Sequence, residues 1–178
     1  MTPASHPECE AAIVSAQLGR EPRPPWRVHA RCRYGYPTVI VSPSRLEDGT
    51  PFPTWAWLTC PFVATKVAAA ESAGGTSAWA ARSRADAGLA RALRSADDAL
   101  RAARSAESSG GDACGEVGLA GQRDPLGVKC LHAHVALSLA GIADPIGDAV
   151  LAEVGVECDD ERCSGLLRDA TEGAHDRG

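Results

Sequence analysis

Apolar and polar residues alternate along WRVHARC, residues 26 to 32. Trp26, Val28, Ala30 and Cys32 fall on one side, Arg27, His29 and Arg31 on the other. A period of two is the mark of a half-buried strand. TVIVS, 38 to 42, is β-branched and reads as a second strand, with YGYP as the turn, so 26 to 42 forms an expected hairpin. A loop turning at Asp48-Gly49 leads to TWAWLTC, 54 to 60, an expected third strand carrying Trp55, Trp57 and Thr59 on one side.

Elsewhere the period is helical. Glu8 to Leu18 predicts a short helix with Ile13, Val14 and Leu18 inward, stopped at Gly19, and REPRPP permits no helix after it. Pro61 suits a first helical position, so a helix runs from Phe62 to about Ser72 and ends at Gly74-Gly75. Ser77 to Ala106 predicts one long helix, because Leu89, Leu93, Ala96, Leu100 and Ala103 repeat with 4-3-4-3 spacing. Residues 107–123 are Gly-rich and read as a linker. Asp124 and Pro125 can open the next helix, with Gly127, Leu131, Val135 and Leu139 as its stripe; Asp144-Pro145 opens a last short one.

The pattern predicts an α+β fold that is helix-rich: a small antiparallel sheet from about residue 26 to 60, covered by four or five helices. It divides the chain into an N-terminal extension over 1–16, a single domain over 17–155 and an acidic flexible tail over 156–178. Composition adds that the core is thin. Hydrophobic residues make up 44% of the 178, but aromatics only 4%, and alanine favours helix while burying little area.

A net charge of −5 argues against general nucleic-acid binding. The charge is uneven: Arg20, Arg23, Arg27, Arg31, Arg33 and Arg45 face Glu21 alone in their stretch, whereas acidic residues dominate from Asp144 onward. Arg20, Arg23, Arg31 and Lys129 are therefore candidates for an anion site, since guanidinium forks match carboxylate and phosphate. No apolar run reaches membrane-spanning length, and the N-terminus lacks the basic and apolar regions of a signal peptide. A cytoplasmic protein without a membrane partner is the expectation.

Seven cysteines are many for a reducing compartment, which leaves metal ligation, reactive thiols or burial as small hydrophobes. Cys32 ends the first strand, Cys60 ends the third, and Cys130 opens a helix that carries His132 and His134. Three thiolates and an imidazole make a zinc set, and three thiolates can hold an iron–sulfur cluster. On an ideal helix Cys130 and His134 share a face, while His132 points ~200° away. Cys60, just before Pro61, has a second reading: the helix N-terminus can activate it as a nucleophile toward an anionic substrate, with His29, His132 or His134 as base. Cys158 and Cys163 could chelate with His175 but fall in the expected tail; Cys9 and Cys114 look incidental. No P-loop, nucleophile elbow or dinucleotide motif is present.

Two blocks, residues 17–61 and 128–155, carry a resemblance. Their signatures are Gly19-Arg20 with Pro22-Arg23, Arg31-Cys32 with Gly35 and Pro37, Asp48-Gly49-Thr50-Pro51-Phe52-Pro53-Thr54, Leu58-Thr59-Cys60-Pro61, Lys129-Cys130-Leu131-His132, and Gly147-Asp148. Together they resemble the actinobacterial family known as domain of unknown function 501. The resemblance implies a bacterial cytosolic protein with no established activity. It favours His132 over His134 as the fourth ligand, and it departs from the family pattern at Leu137, where members often carry a further histidine.

The first functional expectation is a metal- or cluster-binding accessory protein using Cys32, Cys60, Cys130 and His132, with His134 as the alternative fourth ligand and zinc or an iron–sulfur cluster as cofactor. The second is a small thiol enzyme with Cys60 as nucleophile. The third is an interaction module whose helix 77–106 docks another protein, with Arg82, Arg84, Arg91, Arg94, Arg101 and Arg104 on its polar face.

Overall fold

The computed structural model describes residues 7–166. The elements run α1 (Pro7–Leu18), β1 (Arg27–Arg31), β2 (Pro37–Val41), β3 (Ala56–Leu58), α2 (Pro61–Ser72), α3 (Gly75–Ala85), α4 (Ala87–Glu107), a 3₁₀ turn (Leu119–Gly121), α5 (Leu131–Leu139) and α6 (Pro145–Val154). The three strands form one antiparallel sheet in the order β1-β2-β3, so the fold is α+β and helix-rich.

β2 is buried along its whole length because both of its faces are covered. Val39 and Val41 enter the main core with Leu58, Val135 and Leu137, while Ile40 packs the other way against Ile13 and Val14 of α1. The third strand is shorter than expected, so Trp55 precedes it and only Trp57 follows its alternation. Trp55 joins the main core and Trp57 the α1 side. In β1 the register shifts on either side of Ala30, so Ala30 faces the main core while Trp26, Val28 and Cys32 pack on the α1 side. An extra residue at a bulge is what redirects a side chain in this way.

The single helix expected over 77–106 is two helices. Asp86 breaks it with an extended backbone, and its carboxylate accepts the N–H groups of Gly88 and Leu89 as the N-cap of α4. Along α4 the spaced residues Ala90, Leu93, Ala96 and Leu100 are buried, and so is Arg104, which the sequence placed on a polar face. The Gly-rich stretch after α4 is a packed connection. Ser108 holds the Ser44 N–H at 2.8 Å, Ala113 donates to the Ser44 hydroxyl, and Asp112 pairs with Arg104.

α5 begins at Leu131 rather than after Pro125. Asp124 instead accepts from Leu126 N–H in a turn and pairs with Arg84. Once formed, α5 is buried on every side, Leu131, Ala133, His134, Val135, Ala136 and Leu137 alike, because the sheet, α2 and α6 surround it. A helix apolar all round belongs in the centre of a fold. α6 starts as expected, with Asp144 as N-cap and Pro145 in the first turn. Residues 156–166 fold back on the sheet: Cys163 is buried beside Ile13, Val14 and Ile40. The parts of the expected extension and tail over 1–6 and 167–178 lie outside the described residues. Among the described residues no helix is long and apolar enough to cross a membrane.

The α5–α6 contact rests on Gly147. A Cβ there would stand 2.2 Å from the His134 carbonyl oxygen and 2.3 Å from Ser138 Oγ. The backbone of α5 cannot yield as a flexible side chain could, so Gly147→Ala should lower stability by about 1–3 kcal/mol in urea unfolding. An unchanged unfolding midpoint would mean that the helices do not cross this closely.

Candidate functional site

Antiparallel pairing brings the ends of β1 and β3 to the same end of β2. Arg31 pairs with Pro37, and Thr59 N–H donates to the Thr38 carbonyl at 2.9 Å. Cys32 leaves β1 in a tight turn, its N–H bonded to the Tyr36 carbonyl and its own carbonyl accepting from Gly35. Cys60 leaves β3 and becomes the N-cap of α2, with Pro61 behind it. The segment after α6 then lays Cys158 and Cys163 against this edge. The four thiols line one pocket of about 10 Å³, together with Tyr36, Phe62 and Arg162.

The electrostatics reflect that crowding. Burial is the main force pushing up the Cys60 thiol; the N–H groups of Val63 and Phe62 pull it down, and the charges of Cys158 and Cys32 push it up again. Those N–H groups influence the sulfur without closing a capping bond. Cys163 is likewise pushed up by burial first and then by the charges of Cys60, Cys32 and Cys158, against a hydrogen bond from Gln17 Nε2 at 3.3 Å. Arg162 stands over the Phe62 ring, and its guanidinium is stabilised first by Asp160 and then also by Cys158 and Cys60. Like charges gathered in a dry site resist ionising together. Among the described residues no three His, Cys, Asp or Glu side chains are set closely enough to hold a metal ion as placed.

The expected site residues are thereby divided. Cys32 and Cys60 come together. Cys130 does not join them: it caps α5 beside Glu71 and Lys129, and burial raises its thiol first, with the Ala133 N–H acting against that. Glu71 lies in the last turn of α2 and Cys60 caps its first, so the length of α2, about 16 Å at 1.5 Å per residue, stands between the two environments. His132 has both ring nitrogens facing acceptors, Nε2 at 3.1 Å from the Ala64 carbonyl and Nδ1 at 3.1 Å from Glu71. Both ring nitrogens are thus turned to oxygens outside the thiol pocket. His134 Nδ1 is 2.8 Å from Asp144, its Nε2 is buried without a hydrogen-bond partner, and the residue lines a different small cavity with Asp97 and Gln122. His29 Nε2 bonds the Ala140 carbonyl.

The four cationic candidates separate too. Arg20 and Arg23 line one cavity. Arg31 pairs with Glu10, and Lys129 bonds the Ala120 carbonyl at 3.3 Å. Cys158 and Cys163, set aside on sequence grounds, are the residues that join Cys32 and Cys60. Their Cys-x4-Cys spacing was the visible signal, and the unpatterned acidic stretch around it hid where they would go.

The chain is a small helix-rich α+β protein with a thiol pocket at one sheet edge. Residues 28–152 match the family described as "Protein of unknown function (DUF501)", and the chain belongs to that family. No curated protein and no solved structure matches it. Cys32 and Cys60 lie inside the matched span, and Cys158 and Cys163 lie beyond it.

Proposed function

We propose that this is a metal-binding protein in which Cys32, Cys60, Cys158 and Cys163 hold one zinc-type ion. The observation that carries this is the convergence of four cysteines from three separate stretches of chain on one pocket. Four thiolates at ~2.3 Å make a closed tetrahedral shell, the form of a structural rather than a catalytic site. A dication would offset the repulsion among thiolates that otherwise keeps these groups protonated. Closure around an ion requires the sulfurs and the returning segment to draw closer than they stand. An iron–sulfur cluster also takes four thiolates, but a pocket of about 10 Å³ suits one ion and not several iron and sulfur atoms. Thiolate ligation suits a reducing compartment, which favours the cytoplasm. The bound ion ties the C-terminal segment to the sheet, so the protein acts as an accessory without turnover of its own.

The thiol-enzyme reading is weaker. Cys60 is only 6% exposed and its thiol is pushed up, whereas a nucleophile needs it lowered, and no imidazole lines the pocket. Docking through α4 is weaker too, because Leu93, Ala96 and Leu100 are already spent on the core.

Metal analysis and a visible spectrum of anaerobically purified protein test the proposal. One zinc per chain and no visible absorption are expected. Cys60→Ser and Cys163→Ser should lose the metal, and their melting temperatures should no longer respond to a chelator. Cys130→Ser and Cys114→Ser should keep both the metal and the chelator response. A metal-free wild type, or full metal content in Cys163→Ser, would overturn it. A brown protein with broad absorption would replace the ion by a cluster.

A further inference from the structure

On the α1 side of the sheet, with no cysteine in its lining, a second cavity of about 170 Å³ opens between residues 18–23, the strand β2 and the loop that follows it. Its lining is unlike a generic surface dent. The rings of Phe52 and Trp57 lie nearly parallel, 7° apart in plane with centroids 5.9 Å apart. The Arg20 guanidinium stands over Trp57 at 5.2 Å from the ring centre. Arg23 is at the rim, paired with Asp48 at 2.8 Å where both side chains are more than half exposed. Ser42, 2% exposed, lines the interior.

Two polar groups here are unspent. Among the described residues Arg20 has no carboxylate partner, and the Ser42 hydroxyl makes no hydrogen bond. An arginine resting on an indole keeps its N–H edge free for an anion while its face is held by the ring. The exposed Arg23–Asp48 pair is weak enough to open for a better partner. Flat aromatic walls select a flat ring. An apolar cavity of about 150 Å³ is known to accommodate benzene, so this one has room for a single ring with a small substituent and not for a dinucleotide.

We propose that this cavity binds a single aromatic ring bearing one anionic group, carboxylate or phosphate, with the ring against Phe52 and Trp57 and the anion on Arg20. The site uses none of the cysteines and stands whether or not a metal is bound. Calorimetric titration of the full chain at low salt tests it, with benzoate and phenyl phosphate as ligands, cyclohexanecarboxylate as a non-planar anion and benzyl alcohol as an uncharged ring. At least one aromatic anion should bind tenfold or more tightly than either control, and the tighter of the two identifies the anionic group. Arg20→Gln, an exposed change that leaves the fold alone, should weaken that binding at least tenfold, and Cys60→Ser should leave it unchanged. Loss of binding in Cys60→Ser would tie the cavity to the thiol site and overturn its independence. No binding of either aromatic anion up to about 10 mM would overturn the proposal, as would equal affinity for benzyl alcohol or an unaffected Arg20→Gln.

Discussion

Arg104→Met should lower the stability of the protein by about 3–5 kcal/mol, the range for breaking a buried charge pair from one side. The Arg104 side chain is fully buried. Its Nε and Nη2 donate to the Asp112 carboxylate at 2.7–2.9 Å. Nη1 donates to the Pro53 carbonyl at 2.9 Å, and Nη2 also reaches the carbonyls of Cys114 and Val117 at 2.8 and 2.7 Å. One guanidinium therefore holds the end of α4, the loop before β3 and the connection that follows α4. Methionine fills the space but leaves the Pro53 and Val117 carbonyls without this donor, the Cys114 carbonyl with only the Val117 N–H, and the mostly buried Asp112 carboxylate with only the Cys114 N–H. Lysine would be no substitute, because an ammonium cannot present five donors in a planar fork.

Acid should shrink the effect. Burial acts to raise the Asp112 carboxyl, but hydrogen bonds from Arg104 and the Cys114 N–H, with the Arg104 charge, hold it below the ordinary aspartate value of about 3.9. The folded wild type therefore prefers the ionised form. That contribution is complete above about pH 4 and fades as the pH falls below it. Without Arg104, burial dominates and the folded variant takes up a proton more readily, so it recovers stability relative to the wild type on acidification. Urea unfolding at pH 7 and near pH 3 should show the gap narrowing. A gap equal at both pH values would mean that packing, not the charge pair, is what Arg104 supplies.

Arg104 also shows where sequence reasoning stops. Its position was legible: it follows Leu100 by four and Leu93 by eleven, which places it on the buried stripe of α4. Its residue type argued for solvent, and the partner that reverses this argument lies in a Gly-rich stretch whose pattern reads as a loose linker. The hairpin, the third strand and the Asp-Pro start of α6 were readable because alternation and capping are local. The break at Asp86 was not, since an alanine-rich run carries helical propensity across it and only the cap and the packing of α4 decide otherwise. The start of α5 failed for the opposite reason. Asp124-Pro125 is a sound local start signal, yet Asp124 is used in a turn and in pairing with Arg84.

The same division runs through the site. That Cys32 and Cys60 meet follows from strand order, because both leave an antiparallel sheet at one end. That Cys130 does not meet them depends on which end of α2 the start of α5 rests against, and spacing along the chain carries no information about that. Cys158 and Cys163 carried a chelating spacing but no periodicity around them, so nothing local could say that the segment returns to the sheet. His134 was readable as a helix-face residue, and its partner Asp144 was readable as a cap. Only the tertiary contact of α5 with α6 joins them.

That joint carries the other large expected effect. Asp144→Ala should lower stability by about 2–5 kcal/mol, the sum of a lost N-cap and an orphaned buried donor. Asp144 is 1% exposed. Its Oδ1 accepts the N–H groups of Ile146 and Gly147 at 3.0 and 2.8 Å, and its Oδ2 lies 2.8 Å from His134 Nδ1. A carboxylate at Nδ1 places the ring proton there and leaves Nε2 as a bare lone pair. This fits the surroundings, because Nε2 is buried with no hydrogen-bond partner, and a lone pair is a smaller loss in that position than an N–H would be. Asp144→Asn separates the two roles. Its carbonyl keeps the cap on α6, but its amide offers a donor to Nδ1 and drives the ring proton to Nε2, where nothing accepts it. The asparagine variant should therefore lose about 1–3 kcal/mol, less than alanine does, and that loss should largely disappear when His134 is also replaced by leucine. The ring nitrogen resonances of His134 report the same event directly, with the proton on Nδ1 in the wild type and on Nε2 in Asp144→Asn. A full asparagine loss persisting in the His134→Leu background would show that the pair with the ring contributes nothing, and that Asp144 serves α6 alone.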